Sequence, residues 1–585
     1  MRRQRGAIFE RLVGLETEYA LLRPATADND GHSRFEVFRA LVASLRTRIP
    51  AVAAQHFKEG VFHAAGGAVW FETERISSGG GLVEGSSPEC RGPMQVLIWQ
   101  KAQDKLLAAA LDDATDGETK LIKNDRDAFG NVYGAQENYE ATLATGWRLL
   151  AWRASLIAIF PIVLLTWLSL WIITGAVMLY ALAAVLVYLA LERLVRRPQR
   201  LAMLLFGCSF ERLGEAGPTG PQWMEQFLSV VVRVIAAPLA GVLLAIIAVT
   251  SFCEHRKKLL PFLASRAVIG GSGMIDDQGR FLLADKATAM NCSIGFGGLL
   301  GDRPIFTFGH FYKTIFSDAW MAPGEYFRLF SPRQRLQIGL GDSNLCDVSQ
   351  YLRVGTTLLV LDMIEAGEAT NLPQLRSPLR ACRKFTSDPT LQATAPLRGG
   401  GEITALEVQR AYLEACRQFL AKHPEAPEEA FQVLSLWDET LKQLAGDRQA
   451  LVGSIDWVTK QRLIDENTAG VSPKVLKKID IKYHELSSEG YFQKLLAVGL
   501  IRQLTTPAEV ERAMRCPPSG TPAAVRGQFI REFASGDKPI TANWHYVLLG
   551  RGRTRRIIKL SDYRPLAIAR PQRPRAQAAQ DIDTE

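Results

Sequence analysis

The chain has 585 residues, of which 47% are hydrophobic and 22% are charged, and it carries a formal net charge of +9. This length fits one large globular domain with additions, or two to three domains. The eight cysteines are scattered, with no CxxC pair and no metal-ligand spacing, which argues against a disulfide framework. The positive charge leaves three kinds of partner open: nucleic acid, an acidic protein or an anionic membrane surface.

The first predicted element is a strand from Arg11 to Leu21, which contains Glu16 and Glu18. Side chains alternate between the two faces of a strand, so these two carboxylates share a face, roughly 7 Å apart. Neighbouring carboxylates repel each other and rarely share a buried face without a cation to neutralise them. The pair therefore indicates either a Mg2+ site or a solvated strand face, and its spacing alone favours the solvated face.

No charged residue occurs from Ala154 to Leu191, a run of 38 residues. One helix across a bilayer needs about 20 apolar residues, so this run predicts two membrane-spanning helices, at about 151–173 and 175–192. Thr174-Gly175 lies near the middle and is the predicted turn between them. A buried helical hairpin of a soluble protein is the alternative, but the length and two-sided apolarity of the run argue against it.

Basic residues flank the apolar run on both sides, and such flanks fit a hairpin that starts and ends in the cytoplasm. They are Arg148, Arg153, Arg193, Arg196, Arg197 and Arg200. A third apolar stretch, 234–253, follows this hairpin. We expect Pro238 and Gly241 to break that stretch into a re-entrant or interfacial piece.

Beyond residue 258 the chain is soluble in character again. Alternating apolar residues from 336 to 340 predict a strand that ends at a polar turn, 341–344. A helix is predicted from 356 to 366, with Gly367 as its stop signal. From about residue 564 the chain is rich in Pro, Arg, Gln and Ala, which predicts a disordered tail.

Three further segments carry carboxylates and polar groups that suit a nucleotide-bound cation. They are 81–90, which holds Glu84, then 123–139, and Gly341-Asp342-Ser343-Asn344. Hard cations take oxygen ligands, and nucleotide phosphates usually arrive bound to Mg2+ that one or two carboxylates hold. Taken separately, each segment is better explained as a solvated acidic loop.

Together these segments resemble one family, the Pup ligases and depupylase/deamidases, which are proteasome accessory factors. The similar motifs near the N-terminus are Gly14-Leu15-Glu16-Thr17-Glu18-Tyr19, Ser87-Pro88-Glu89-Cys90, Lys123-Asn124-Asp125 and Tyr133-Gly134-Ala135-Gln136-Glu137-Asn138-Tyr139. Further motifs follow in family order, among them Gly341-Asp342-Ser343-Asn344, Asp456-Trp457-Val458, Tyr483-His484 and Arg526-Gly527. The resemblance covers about residues 10–146 and 254–563.

The resemblance implies an α+β fold like that of glutamine synthetase, with a curved antiparallel sheet, helices behind it and a small C-terminal domain. It also implies ATP and Mg2+ as cofactors, bound in the concave sheet. By position, Glu16 and Glu84 match metal ligands of the family, and Glu18 and Glu137 are expected to face the same site. The expected nucleotide contacts are Ser87, Trp544 and Arg526.

The resemblance also predicts the domain organisation and the topology of the apolar segments. The two parts of the glutamine-synthetase-like domain are 1–146 and 254–496, interrupted by a membrane insertion at 147–253. A small C-terminal domain at 497–563 and the tail at 564–585 complete the chain. Since both ends of the insertion belong to one sheet, the number of membrane crossings is even. We expect two, with 234–253 not crossing, or four if that stretch is itself a hairpin.

The chain departs from the family pattern at the catalytic aspartate. The family sequence Gly-Ala-Arg-x-Tyr-x-Asp is replaced by a stretch from Gly67 that places Thr73 at the aspartate position. A threonine cannot act as a carboxylate base or nucleophile. Glu72 and Glu74 are the nearest substitutes, but on a strand they share the face opposite Thr73. A shift of register or a bulge would be needed to bring either of them into the site.

Two functional hypotheses follow. The first is an ATP- and Mg2+-dependent carboxylate-amine ligase or amidohydrolase, tethered to the cytoplasmic face of the inner membrane, whose partner is a small acidic Pup-like protein or its conjugates. The second is a membrane-anchored nucleotide-binding scaffold that has lost the original chemistry. Nucleic acid is not an expected partner, because the basic residues cluster at the membrane flanks and the tail, without an aromatic platform.

Overall fold

A large sheet of eleven strands organises the protein, and most of its neighbouring strands are antiparallel. The computed structural model describes residues 8–23, 33–56, 58–72, 81–126, 132–210, 220–298, 301–466 and 471–560. The strands are β1 (Leu12–Leu22), β2 (Ala51–Ala53), β3 (Gly60–His63), β4 (Ala68–Glu72), β5 (Leu82–Ser86), β6 (Cys90–Arg91), β7 (Lys120–Ile122), β8 (Gln136–Thr142), β9 (Met274–Ile275), β10 (Phe281–Leu282), β11 (Cys292–Gly295), β12 (Pro304–Thr307), β13 (Arg333–Ile338), β14 (Thr394–Pro396), β15 (Glu402–Thr404), β16 (Ile540–Ala542), β17 (Tyr546–Leu549) and β18 (Arg556–Lys559).

In the large sheet the strand order is β11-β12-β13-β8-β1-β5-β4-β3-β2, and β6 and β7 also pair with β1. Three small sheets, β9–β10, β14–β15 and β16–β17–β18, lie outside the large sheet. Helices cover the large sheet. They are α1 (Arg34–Arg48), α2 (Gly92–Ala114), α3 (Trp147–Leu191), α4 (Pro198–Phe206), α5 (Gln222–Thr250), α6 (Cys253–Ser265), α7 (Ala267–Gly270), α8 (Lys286–Ala289), α9 (Gly309–Lys313), α10 (Ala319–Met321), α11 (Asp347–Ala366), α12 (Pro378–Thr386), α13 (Ala405–Ala421), α14 (Glu428–Ala445), α15 (Asp456–Asp465), α16 (Pro473–Tyr483), α17 (Tyr491–Ala497), α18 (Pro507–Arg515) and α19 (Pro522–Phe533). The α+β fold class expected from the sequence, a large antiparallel sheet with helices, is confirmed.

Strand β1 lies at the middle of the sheet, and its side chains alternate between a buried and a half-buried face. On the buried face the Thr17 hydroxyl lies 3.2 Å from the side-chain oxygen of Gln100 in α2. On the same face the Tyr19 hydroxyl donates to Asp104 of α2 at 2.6 Å. The other face presents Glu16, and this alternation separates the core of the protein from a polar surface.

The predicted helical hairpin between residues 151 and 192 is wrong, because α3 is one continuous helix of 45 residues. At about 1.5 Å per residue it is roughly 68 Å long. The hydroxyl of Thr174 donates to the carbonyl of Leu170 within the helix, at 2.8 Å. A glycine such as Gly175 costs about 1 kcal/mol relative to alanine in a helix, which long helical flanks on both sides offset.

The third apolar stretch is not broken either, since Pro238 and Gly241 both lie inside α5. Helix α5 runs antiparallel to α3, because Trp223 near its start meets Tyr180 edge-to-face, with ring centroids 6.0 Å apart, whereas its end returns to Leu143 before the start of α3. The hairpin of this insertion is therefore formed by α3 and α5, with α4 near its tip. We call residues 147–250 the helical arm.

Both long helices of the arm are long and apolar enough to cross a membrane, by length and composition alone. The arm starts and ends at the same place, because the Phe252 amide donates to the Leu143 carbonyl at 2.7 Å. The chain therefore leaves the folded body and returns to it at one point.

The base of the arm is fixed to the folded body by residues 309–330. The indole N–H of Trp152, which is fully buried, donates to the Leu329 carbonyl at 2.7 Å. About four turns further along α3, the indole N–H of Trp167 donates to the Ile315 carbonyl at 2.8 Å. Residues 314–318 form a π-helical turn, which continues α9.

A buried ion pair joins the chain before the arm to the chain after it. The carboxylate of Glu137 in β8 accepts hydrogen bonds of 2.7 and 2.8 Å from the guanidinium of Arg266, which lies between α6 and α7. The Tyr139 hydroxyl donates to the same carboxylate at 2.7 Å, and Arg353 of α11 lies 3.6 Å away. Burial of an unpaired charge is strongly unfavourable, and the contacts among these groups offset that cost.

The C-terminal residues pack on the end of the large sheet that carries β2 and β3. Strands β16, β17 and β18 form a separate three-stranded sheet, with an isolated bridge from Ala542 to Ala54. Helix α19 carries Arg526, whose fully buried guanidinium pairs with Glu89 at 2.6 Å. The predicted disordered tail, 564–585, lies outside the described residues.

We predict that Trp152→Ala lowers the free energy of unfolding by about 3–5 kcal/mol, because it removes a buried indole and leaves a cavity at the base of the arm. Thermal unfolding of the detergent-solubilised protein measures the loss. Trp147→Ala is the control, since Trp147 is 65% exposed and its loss should change stability by less than about 0.5 kcal/mol. Equal effects of the two substitutions would contradict the anchoring role of Trp152.

We predict that Glu137→Gln lowers the free energy of unfolding by about 3–5 kcal/mol, because it leaves the buried charge of Arg266 without its counter-ion. Chemical denaturation followed by tryptophan fluorescence measures this loss. The control is Glu140→Gln on the same strand, whose partly exposed pair with Arg333 should contribute less than about 1 kcal/mol. A Glu137→Gln protein that stays stable but loses metal affinity would show instead that Glu137 is a metal ligand.

Candidate active site

Strand pairing brings the predicted metal-binding glutamates Glu16, Glu18 and Glu84 to one face of the sheet. In the antiparallel pair of β1 and β5, Glu18 lies directly opposite Glu84, and Glu16 lies opposite Ser86. Residues that face each other in this way have Cβ atoms about 4.5–5.5 Å apart and project from the same face. The structure therefore places three of the four predicted metal ligands together.

Glu72 joins the same face from β4. Trp70 lies opposite Glu84 in the pair of β4 and β5, and Glu72 is two residues further along, so its side chain projects on the same side. Phe71 points the other way and packs against the aromatic rings of α1. The pairing of β4 with β5 therefore places the Glu72 side chain on the same face as Glu84. We call Glu16, Glu18, Glu72 and Glu84 the acidic face.

The other two candidate catalytic residues, Thr73 and Glu74, lie outside the described residues. Glu72 is 34% exposed at its side chain, so solvent or a substrate has access to it. Burial and the negative charge of Glu84 raise the pKa of Glu72 above its ordinary value of 4.5. The catalytic role of Glu72 stays a prediction, but its position and its raised pKa suit a proton acceptor.

A lysine stands between two members of the acidic face. The ammonium of Lys58 lies 2.6 Å from the carboxylate of Glu84 and also contacts Glu72. Burial alone would raise the pKa of Glu84, but the adjacent Lys58 outweighs it and lowers that pKa below 4.5. This cation had no signal in the sequence, because a single lysine in a loop between two short strands has no characteristic pattern.

The remaining glutamates of the acidic face have their own polar partners. Glu16 accepts a hydrogen bond from the Gln337 side chain at 3.0 Å and lies 3.3 Å from Arg335. Glu18 accepts a hydrogen bond of 2.8 Å from the backbone of Gly134, and burial raises its pKa. Gly134 has a φ of +109°, and a Cβ there would collide with Asp125, so only glycine lets this amide approach.

The acidic face fits a hard cation in its chemistry, since carboxylate oxygens are the ligands that Mg2+ takes. Among the described residues, however, no group of three or more His, Cys, Asp or Glu side chains is arranged to hold a metal ion. Lys58 contacts Glu84, which a metal would use, and also Glu72 beside it. Glu16, Glu18 and Glu84 could hold Mg2+ once that ammonium moves away.

The fourth predicted metal ligand, Glu137, is not part of this arrangement. Glu137 lies opposite Leu15 in the pair of β1 and β8, whereas its neighbour Gln136 lies opposite Glu16. Its carboxylate therefore points to the core side of the sheet, where it binds Arg266. The structure gives Glu137 a structural contact and does not bring it together with the acidic face.

The three predicted nucleotide contacts have different surroundings. The Ser87 hydroxyl is buried and accepts a hydrogen bond from the Leu15 amide at 2.8 Å, so it fixes β1. Arg526 is bound by Glu89 and by the Gly66 carbonyl, at 2.6 Å each. Trp544 is half-buried, and its ring lies 4.7 Å from the Arg526 guanidinium. Of these three residues, Trp544 has the side chain best placed to meet a ligand.

Two further motifs of the sequence analysis meet each other behind the site. Asp125 accepts hydrogen bonds from the backbone and hydroxyl of Ser343, at 2.9 and 2.7 Å. Asp342 in turn accepts from the Ser272 amide at 2.9 Å. These buried carboxylates tie loops together, so they support the acidic face without lining it.

Comparisons with known proteins agree with this architecture. A family model described as "Pup-ligase protein" matches residues 11–548. The Pup--protein ligase of Acidimicrobium ferrooxidans is 32% identical over 312 residues, which cover 52% of this chain and 65% of the ligase. The match to the Pup deamidase/depupylase of Mycobacterium tuberculosis is 31% identical over 319 residues, covering 52% and 59% respectively. These matches thus span less than two thirds of either relative.

A longer match reaches the Pup--protein ligase of Sanguibacter keddieii, which is 25% identical over 92% of this chain and 93% of the ligase. Among solved structures, the complex between the prokaryotic ubiquitin-like protein Pup and its ligase PafA matches with a TM-score of 0.62 and 21% identity, covering 94% of this chain and 89% of that chain. PafA in complex with ADP matches with a TM-score of 0.56 and 20% identity, covering 90% of each chain. The fold is therefore that of PafA, and the chain belongs to the Pup-ligase family.

Proposed function

We propose that the protein is an ATP- and Mg2+-dependent enzyme that acts on a glutamate or glutamine side chain of a small acidic Pup-like protein, or on an isopeptide bond to it. The position of Glu72 carries this proposal, because it supplies a carboxylate to the acidic face where the family aspartate is replaced. The relatives named as ligases and depupylases, and the solved complexes of PafA with Pup and with ADP, support the choice of substrate and nucleotide.

The proposed roles follow from position. Glu16, Glu18 and Glu84 would hold Mg2+, which when bound would supply positive charge to the nucleotide phosphates and to the reacting acyl or phosphoryl group. Glu72 accepts a proton from the attacking amine or water, which a carboxylate does best when its pKa approaches the working pH. Trp544 offers its half-buried ring to the nucleotide.

We also propose that the helical arm inserts into the inner membrane and keeps the folded body on the cytoplasmic side, where ATP is available. Large apolar side chains are exposed along the arm. They include Leu165, Trp171, Ile172, Met178, Leu179, Leu182 and Val230, each at least 58% exposed. Because Trp167 and Trp171 still contact the body, through Ile315 and Trp320, the spanning part of α3 begins near Ile172. From there to Leu191 the helix is long enough for a hydrocarbon core of about 30 Å.

A nucleotide-binding scaffold without turnover is the second candidate function. The substitution of Thr73 for the aspartate favours it, and so does Lys58, which already neutralises Glu84 without a metal. The two candidates differ in one measurable property. An enzyme turns ATP over with a suitable acidic substrate, whereas a scaffold binds the nucleotide and releases it unchanged.

We predict that Glu72→Gln reduces turnover by about 100-fold or more while nucleotide binding is retained, because a general base contributes 10²–10⁴-fold. ATP hydrolysis and binding are measured on the full chain in detergent with Mg2+ and a Pup-like acidic tail. Glu59→Gln is the control, because Glu59 is exposed on the same hairpin and should leave the rate unchanged.

The pH dependence provides a further check on this assignment. Glu72 must be deprotonated to accept a proton and its pKa is raised, so the rate should fall on acidification with a midpoint above 4.5. The acid limb should be absent from the residual activity of Glu72→Gln. ATP binding without turnover in the unsubstituted protein would refute the enzyme and leave the scaffold.

We predict that the protein floats with liposomes after reconstitution and stays bound in alkaline carbonate, because α3 and α5 bury their apolar side chains in lipid. Leu179→Arg together with Leu182→Arg should greatly reduce flotation, since each central arginine costs about 2.5–3.5 kcal/mol of insertion. Val498→Arg is the control, because Val498 is 70% exposed on the folded body, outside the arm. A protein that remains soluble without detergent would refute the membrane anchor.

A further inference from the structure

Lys58 contacts the acidic face, but the proposed mechanism gives it no role. It lies between β2 and β3, and its ammonium reaches the carboxylates of Glu84 and Glu72. The Lys58 side chain is 25% exposed, whereas that of Glu84 is only 9% exposed. A charge pair at this depth is screened less by water than a surface pair.

An ammonium in this position neutralises negative charge, as a bound metal ion would. Glu84 has Glu18 directly opposite it on β1 and Glu72 beside it on β4, so three negative charges converge. Like charges so close together destabilise one another unless a cation stands between them. Lys58 supplies that cation from within the chain, and the acidic face is thereby neutralised without a bound ion.

We propose that Lys58 is a built-in cation that competes with a divalent metal ion for Glu84, so that the metal must displace its ammonium, which also contacts Glu72, in order to bind. This proposal deepens the proposed function, on whose metal site it rests. The lysine has a flexible four-carbon stem and a compact charge, so it can leave the carboxylates without a change in the fold.

The competition has a consequence for Glu72. While Lys58 stays in place, its ammonium contacts the Glu72 carboxylate and keeps the attacking amine or water from that oxygen. A metal ion that takes Glu84 and repels the ammonium frees Glu72 at the same moment. Metal binding would then fill the cation site and also free Glu72 to accept a proton. Both events depend on the movement of the Lys58 side chain.

The first test measures Mn2+ binding to the full chain in detergent, without nucleotide, by the loss of the free-ion electron paramagnetic resonance signal. Lys58→Met should raise the Mn2+ affinity at least tenfold, because it removes the competing charge. Lys58→Arg keeps a cation and should retain the unsubstituted affinity. Lys101→Met is the matched control, since Lys101 forms a partly buried ion pair with Asp347 outside the acidic face and its loss should not change the affinity.

A second measurement keeps the proposal testable if Lys58→Met does not fold. In the unsubstituted protein, saturating Mn2+ should increase the labelling of Lys58 by an amine-reactive reagent, read by mass spectrometry, at least threefold relative to Lys101. Labelling that Mn2+ leaves unchanged would overturn the proposal, and so would an Mn2+ affinity that Lys58→Met does not raise. Neither readout uses ATP turnover, so a protein without activity that passes both tests refutes the enzyme and supports the competition.

Discussion

The alternation of side chains along β1 is the constraint on which the candidate site and the core both depend. Leu15 faces α2 and the core, while Glu16 and Glu18 face the opposite side, where β5 and β4 add Glu84 and Glu72. A slip of one residue in this pairing would place every carboxylate in the core and every apolar residue at the site. The buried hydrogen bond of Tyr19 with Asp104 resists such a slip, because a misplaced pair would leave polar groups unsatisfied.

The arm interrupts this sheet without disturbing it, because its two ends meet at one hydrogen bond between Leu143 and Phe252. Its base is integrated with the body through residues 309–330, which also lead from α9 back into the sheet at β13. Strand β13 carries Arg335 and Gln337, both of which contact Glu16. The same stretch of chain therefore connects the apolar insertion to the polar side of the site, through backbone and not through a flexible linker.

The sequence predicted the fold class, the insertion and most of the acidic face, because these depend on period, composition and motifs. It did not locate the turn of the arm, since a Thr-Gly pair is compatible with both a turn and an uninterrupted helix. It placed Glu137 in the site, because motif membership does not tell which face of β8 a residue occupies; only the pairing with Leu15 does. Lys58 was missed because its role depends on a contact between separate strands, which one sequence cannot show.

The choice between an enzyme and a nucleotide-binding scaffold depends on how strongly the Lys58 ammonium binds the carboxylates of the acidic face. A hydrogen bond to a charged group contributes about 1.5–3 kcal/mol, so releasing two of them costs roughly 3–6 kcal/mol. A free divalent ion that binds at about 1 mM gains only about 4 kcal/mol, whereas a nucleotide that binds at about 1 μM gains about 8 kcal/mol. The lysine therefore weakens the binding of a free metal ion, and a metal–nucleotide complex displaces it more readily. For this reason Lys58 is compatible with an enzyme whose metal site is filled most readily when ATP is present, and it does not by itself make the protein a scaffold.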